Sequence, residues 1–298
     1  MSFLLFIVAL GDFLTFVEVL IAGVAAGFVG AIAGLGGGVV IIPVLSIIFR
    51  LPIVYATGAG LVSTIATSSS SASGYVKNRI SNIRIGMSLE IATTIGAIAG
   101  ALISALLYES HLTYLIFIIF GIVLLLTVIP NLGKLSPEEY ERVAAKPDWS
   151  TKLFQLNGEY YDETLKTKIK YMGVRWWLGE LIMFMAGIIS GLLGIGSGVL
   201  KVLGMDWAMK LPIKVTTTTS NFMIGVTAAT GSAIYWILGY IQPFYVAPCA
   251  IGVVAGSYFG SKSLVKMRSH KIRAIFLTIL AVAAAEMIFR GIQIIGVV

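Results

Sequence analysis

Charge is scarce in this chain. Only 12% of its 298 residues are Asp, Glu, Lys or Arg, while 58% are hydrophobic; soluble domains carry about a quarter charged residues. A surface that meets water cannot be made from so few charges, so the composition points to a membrane. Cysteine is nearly absent: Cys249 stands alone, which excludes an intrachain disulfide and a multi-cysteine metal site. Two histidines, His111 and His270, argue against a histidine metal cluster, so no metal and no cofactor are expected. Proline is limited to 8 residues, and the 33 glycines have no collagen period. No Lys or Arg precedes Arg50, so the first segment lacks the charged start of a signal peptide and reads as retained. The net charge of +7 is expected on loops at the cytoplasmic face, with no role for nucleic acid.

What is present is a series of apolar segments. A helix needs about 20 apolar residues to cross a bilayer. Segments 13–33, 55–76, 85–107, 112–130, 176–193, 215–239, 243–261 and 273–295 are candidates. Two pieces, 39–49 and 199–209, are too short to cross, and each follows a glycine cluster. The sustained polar stretch is 131–175. Ser136-Pro137-Glu138-Glu139 suits a helix start, and Asn157-Gly158 suits a type I′ hairpin turn. The expected organisation is membrane repeat 1 (1–130), a linker of short helix plus β-hairpin (131–175), and membrane repeat 2 (176–298).

The repeat appears on shifting the chain by 160 residues: 15 of 75 aligned positions between Ala26/Ala186 and Gly100/Gly260 are identical. Biased composition alone gives roughly 8–10%. GLGGGV (34–39) lies over GIGSGV (194–199), and LPI (51–53) over LPI (211–213). Charge decides the relative orientation. If the short pieces return the chain to the side they came from, eighteen Lys and Arg share one face and Arg50 stands alone on the other. The positive-inside rule then favours an all-α polytopic fold of two inverted repeats, with the 131–175 linker cytoplasmic and both termini outside.

Glycine clusters that interrupt apolar helices permit backbone open to a cavity, and broken-helix termini there bind anions. The candidate residues are Gly34, Gly36, Gly37 and Gly38 in one repeat and Gly194, Gly196, Ser197 and Gly198 in the other. Hydroxyl-rich spans follow each LPI. From them Thr57, Ser63, Thr67, Thr216, Thr217, Ser220 and Asn221 are candidates for lining the path. Lys201, in a short apolar segment, either meets an anion or acidic partner or snorkels to the interface. Glu286 and Arg290 are spaced for an i, i+4 pair. Glu18, Glu90 and Glu180 are candidates for proton coupling; for Glu90 and Glu180, near span ends, a solvated acid is the favoured reading. Enzyme motifs are missing: no GK[ST], no complete GxGxxG, and Ile195 stands where an intramembrane GxSG nucleophile would have glycine.

GAIAGLGGGVVIIPVL (30–45), LPIVYATGAGLVST, SASGYVKNRISNIRIG (71–86) and GLLGIGSGVLKVLGM (191–205) resemble the TauE/SafE sulfite-exporter family, the TSUP transporters. Ser197 and Leu203 replace a glycine and a proline of its pattern. The resemblance implies a carrier of sulfite, organosulfonates or related sulfur anions across the cytoplasmic membrane. Expected partners are such an anion, the lipid bilayer and a second copy of the chain. An anion channel, or a membrane receptor or scaffold acting through 131–175, are the alternatives.

Overall fold

A computed structural model describes residues 2–33, 36–77, 80–131, 147–162, 166–267 and 269–295. Gly34 and the expected helix at Ser136–Glu139 lie outside them. The first half comprises α1 (Ser2–Ala33), α2 (Gly38–Ile47), α3 (Ile53–Lys77), α4 (Ile83–Glu109) and α5 (Thr113–Asn131). After α6 (Trp149–Leu153) and strands β1 (Asn157–Asp162) and β2 (Thr167–Met172) come α7 (Trp176–Leu193) and α8 (Gly198–Leu203). A five-residue π-helical turn, Gly204–Ala208, extends α8. The chain closes with α9 (Ile213–Ile237), α10 (Pro243–Lys266) and α11 (Ser269–Ile295).

Sequence explains the breaks. Asn82 caps α4 by accepting the Ile85 N–H, and Pro243 occupies the first turn of α10, where its missing N–H is harmless. The α2 helix has 10 residues, about 15 Å at 1.5 Å per residue, half of what a bilayer core requires. It is buried along most of its length.

Eight apolar crossings were expected, and a long helix occupies each segment. By length and composition, four of these helices qualify among the described residues: Gly11–Ile32, Ile83–Glu109, Trp176–Leu193 and Pro243–Leu264. Helices α3 and α9 miss that standard because their runs of Ser and Thr dilute the apolar character.

The two halves are interleaved. Helix α1 packs along α10, and α7 packs along α4. Gly27 lies against the Val253 backbone, and Gly187 against that of Thr93. Gly256 meets Val24 and Gly96 meets Phe184; Gly260 meets Phe28 and Gly100 meets Ile188. Each contact maps onto its counterpart under the 160-residue shift. A Cβ at any of these glycines would strike the facing backbone, so glycine sets the helix spacing. In contrast, α3 and its counterpart α9 run antiparallel: Leu61 lies beside Gly231, while Ser68 donates to the Phe222 carbonyl at 3.3 Å. The pair α5 and α11 is likewise antiparallel, with Gly121 beside Ala284 and Gly291 beside Ile118.

Residues 147–162 and 166–175 form a cap on one end of the bundle. Asp148 and Thr151 make a reciprocal capping box for α6, and Phe154 stacks on Trp176 at 4.1 Å. The β1 and β2 strands pair antiparallel from Asn157↔Met172 to Asp162↔Thr167. Asn157-Gly158 therefore starts a strand and is not the turn. Gly158 is paired with Tyr171, and a Cβ there would strike the tyrosine ring. Glycine at this position serves a close aromatic approach, and the strand pairing runs on to Asp162↔Thr167.

Candidate functional site

The glycine turns of the two halves meet in the protein interior. Gly36 (φ 74°) and Gly196 (φ 68°) both occupy left-handed backbone that favours glycine, and both turn against the same side chain, Thr64 of α3. Gly38 faces the Gly194 carbonyl and the Thr64 hydroxyl, while Gly194 (φ 75°) turns against Thr57. Ser197 is also left-handed, at φ 57°, and its hydroxyl donates to the Gly196 carbonyl at 2.7 Å.

Polar groups are concentrated here. The Gly37 N–H donates to the Thr67 hydroxyl at 2.9 Å, and Thr67 donates to the Ser63 carbonyl. Ser220 donates to the Gly198 carbonyl, and Asn221 donates its amide N–H to the Ala31 carbonyl at 2.8 Å. Two fully buried atoms, the Thr64 hydroxyl and the Asn221 amide oxygen, have no hydrogen-bond partner among the described residues. Orphaned buried polar atoms are uncommon in folded proteins and are expected where a ligand or water completes the set.

Gly36, Gly37, Gly38, Thr57, Thr67, Gly194, Gly196, Ser197, Gly198, Ser220 and Asn221 thus gather around one locus, with Ser63 in the adjoining turn beside Cys249. For Thr216 and Thr217 the described contacts are within their own segment. Their hydroxyls donate back to the carbonyls of Leu211, Ile213 and Lys214 at the start of α9. Glu18 lies on the exposed face of α1, away from the cluster.

Lys201 does not snorkel. It is completely buried, and its Nζ donates to Glu90 Oε2 at 2.9 Å and to the Thr227 hydroxyl. Thr227 donates in turn to the other Glu90 oxygen. Glu90 is therefore a buried partner and not a solvated acid. The sequence pointed to Glu90 but not to its pairing with Lys201, and it gave no sign of Thr227; an acid in one span and an unpaired lysine in another were the available signal. Arg290 also departs from expectation. It donates to the Ser46 carbonyl at 2.8 Å, and Glu286 lies beyond ion-pair distance from it.

A second buried pair ties the cap to the bundle: Lys214, at the start of α9, lies 3.0 Å from Asp162 of β1. Asn82 donates to the Tyr171 hydroxyl at 3.1 Å, and its N–H donates to Thr219 at 3.0 Å. Cap, α4 and α9 are fastened at one end.

Residues 19–287 match the family described as sulfite exporter TauE/SafE. The chain belongs to that family. It is a membrane transporter of the TauE/SafE type, embedded in a lipid bilayer. Among its relatives, the probable membrane transporter protein YunE of Bacillus subtilis (strain 168) is 29% identical over 291 residues, covering 94% of this chain and 99% of YunE. The probable membrane transporter protein YdhB of the same strain is 24% identical over 257 residues, covering 86% of this chain and 92% of YdhB. No solved structure matches it.

Proposed function

We propose that the protein is a secondary carrier of small sulfur-containing oxyanions, such as sulfite or organosulfonates, working by alternating access. The observation that carries this reading is the convergence of Gly36 and Gly196, 160 residues apart, on Thr64. Left-handed glycine turns leave N–H groups free of helix bonding, and α2 begins at Gly38 with its positive dipole end at the same place. Hydroxyls and N–H groups bind an oxyanion without a full charge, which keeps release feasible. The Lys201 charge is balanced by Glu90, so in this state it polarises the site and is not the anion's direct counterion.

The two halves act as inverted repeats about an axis in the membrane plane. The antiparallel pairing of α3 with α9 and of α5 with α11 supports this, because each pair joins repeat counterparts. The cap at 147–175 faces the cytoplasm and the termini face outward. A carrier shows saturable counterflow of labelled sulfite or sulfoacetate in proteoliposomes, and Gly36→Leu abolishes it. Conductance without saturation would make the protein a channel. No flux of any oxyanion would sink the transport reading.

A further inference from the structure

A pocket of about 350 Å³ opens at the bundle end opposite the cap. Its walls include Ser46 in the last turn of α2, Arg50 just after that helix, Tyr108 at the end of α4, Thr113 at the start of α5, and Arg290 of α11. The opposite placement follows from α4. Arg84, near its start, donates to Gln155 beside the hairpin at 2.7 Å, whereas Tyr108, near its end, lines the pocket. The 24 intervening steps span about 36 Å.

Two guanidinium groups thus line one cavity, and among the described residues neither has a carboxylate within ion-pair distance. Arg290 uses one N–H on the Ser46 carbonyl and keeps further donors for a ligand. Arg50 is held in left-handed backbone at φ 53°, a conformation few non-glycine residues adopt. Its repeat counterpart Lys210 has φ 58° and also stands immediately before an LPI turn. The duplicated architecture therefore places a cation at equivalent points near both ends of the bundle. On the cap side Arg175 and Asp206 both act on Lys210, whereas at the opposite end Glu286 acts on Arg290, and among the described residues Arg50 and Arg290 are the charged groups lining the pocket.

We infer that the Arg50–Arg290 pocket is a second, outer oxyanion site, separate from the glycine turns, which receives a sulfonate- or phosphate-like group through paired guanidinium donors with help from the Tyr108 and Thr113 hydroxyls. Arginine forks match the oxygens of sulfonates and phosphates, and two cations that line one cavity without a contact ion pair attract anions to the mouth. The inference rests on the transport reading only for the ligand's fate. Occupancy of the pocket is a separate question.

The test reads occupancy directly. Thr113→Cys in a Cys249→Ala background puts one accessible thiol in the pocket while keeping both arginines. Its labelling by the uncharged reagent N-ethylmaleimide is followed in purified protein. Sulfoacetate should slow labelling in a saturable way. Adding Arg50→Asn, which tolerates left-handed backbone, should raise the half-protecting concentration about tenfold. The same assay in nanodiscs separates the two sources of such a group. Protection by sulfoacetate in phosphatidylcholine identifies a dissolved anion, whereas protection seen only with phosphatidylglycerol identifies a lipid headgroup phosphate. No protection by either, or protection unchanged by Arg50→Asn, overturns the site. Protection that persists in a protein showing no flux would uphold the pocket and sink the transport reading alone.

Discussion

Lys201 Nζ lies 2.9 Å from Glu90 Oε2, joining two charged residues that are 111 positions apart and both buried. Neither charge is tolerable alone in this interior. Truncating one partner of a buried pair strands the other, which costs about 3–5 kcal/mol. Lys201→Met and Glu90→Gln should each lower the thermal midpoint in detergent markedly, and Lys201→Met/Glu90→Leu should recover most of the loss. Additive losses in a double-mutant cycle would show that the two do not act as a pair.

The glycine turns should be intolerant of any side chain. At Gly36 a Cβ would meet the Thr64 methyl at 2.8 Å and force a non-glycine residue to φ 74°. Gly194 has φ 75° and faces the Thr57 backbone at 2.8 Å. Gly36→Ala and Gly194→Ala should lower transport at least about tenfold, because strain of about 1–3 kcal/mol falls on the binding backbone. Gly11, with open space around its position, is the control; Gly11→Ala should leave flux unchanged.

The cap should respond to acid in a defined window. Burial by itself raises the Asp148 carboxyl, but hydrogen bonds from the Ser150 hydroxyl, the Arg175 and Thr151 N–H groups and the Thr151 hydroxyl outweigh it, bringing the pKa from 3.8 down to about 2. A depressed carboxylate contributes stability that is complete above its unfolded pKa and lost as pH falls through the folded one. Hydrogen-exchange protection factors across 147–175 should therefore fall between about pH 4 and pH 2. Asp148→Asn should flatten that dependence and weaken the cap by about 1 kcal/mol at neutral pH.

Lys214→Met should release the hairpin, since it removes the cation facing Asp162 in a buried site. Faster trypsin cleavage in 147–175, with the membrane helices intact, is the expected result. A cleavage rate equal to that of the parent protein would show that Lys214 does not hold the cap.

Topology can be read with single cysteines in the Cys249→Ala background. Lys152 and Arg50 are both exposed and lie toward opposite ends of the bundle. Thiols at 152 and 50 should label from the inside and the outside respectively. Labelling of both from one face would refute the inverted arrangement.

The glycine turns were legible in the sequence because a left-handed turn inside an apolar segment leaves a residue-type mark that composition cannot mimic. The 160-residue repeat was legible for the same reason at Gly36, Gly96 and Gly100. The Lys201–Glu90–Thr227 cluster was not. Burial of Glu90 depends on which face of α4 meets α8 and α9, and one helix's sequence does not state its neighbours. The back-bonding of the Thr216 and Thr217 hydroxyls was not legible either, because a buried hydroxyl facing a cavity and one bonding back to its own helix have the same spelling. Gly158 read as a turn since local chemistry favours it, while the strand register set by the Tyr160 and Tyr171 contacts prevailed.

The glycine contacts between α1 and α10, and between α7 and α4, have a kinematic meaning. Helices held backbone to backbone along their length move as one piece. Each such piece takes one helix from the first half and one from the second. The bodies that would rock against each other are therefore chimaeras of the two repeats, and the chain's midpoint at 131–175 is a tether between bodies that already share helices. Each half produced alone would expose a row of glycine grooves with nothing to fill them, so the duplicated unit is expected to be stable only as a pair.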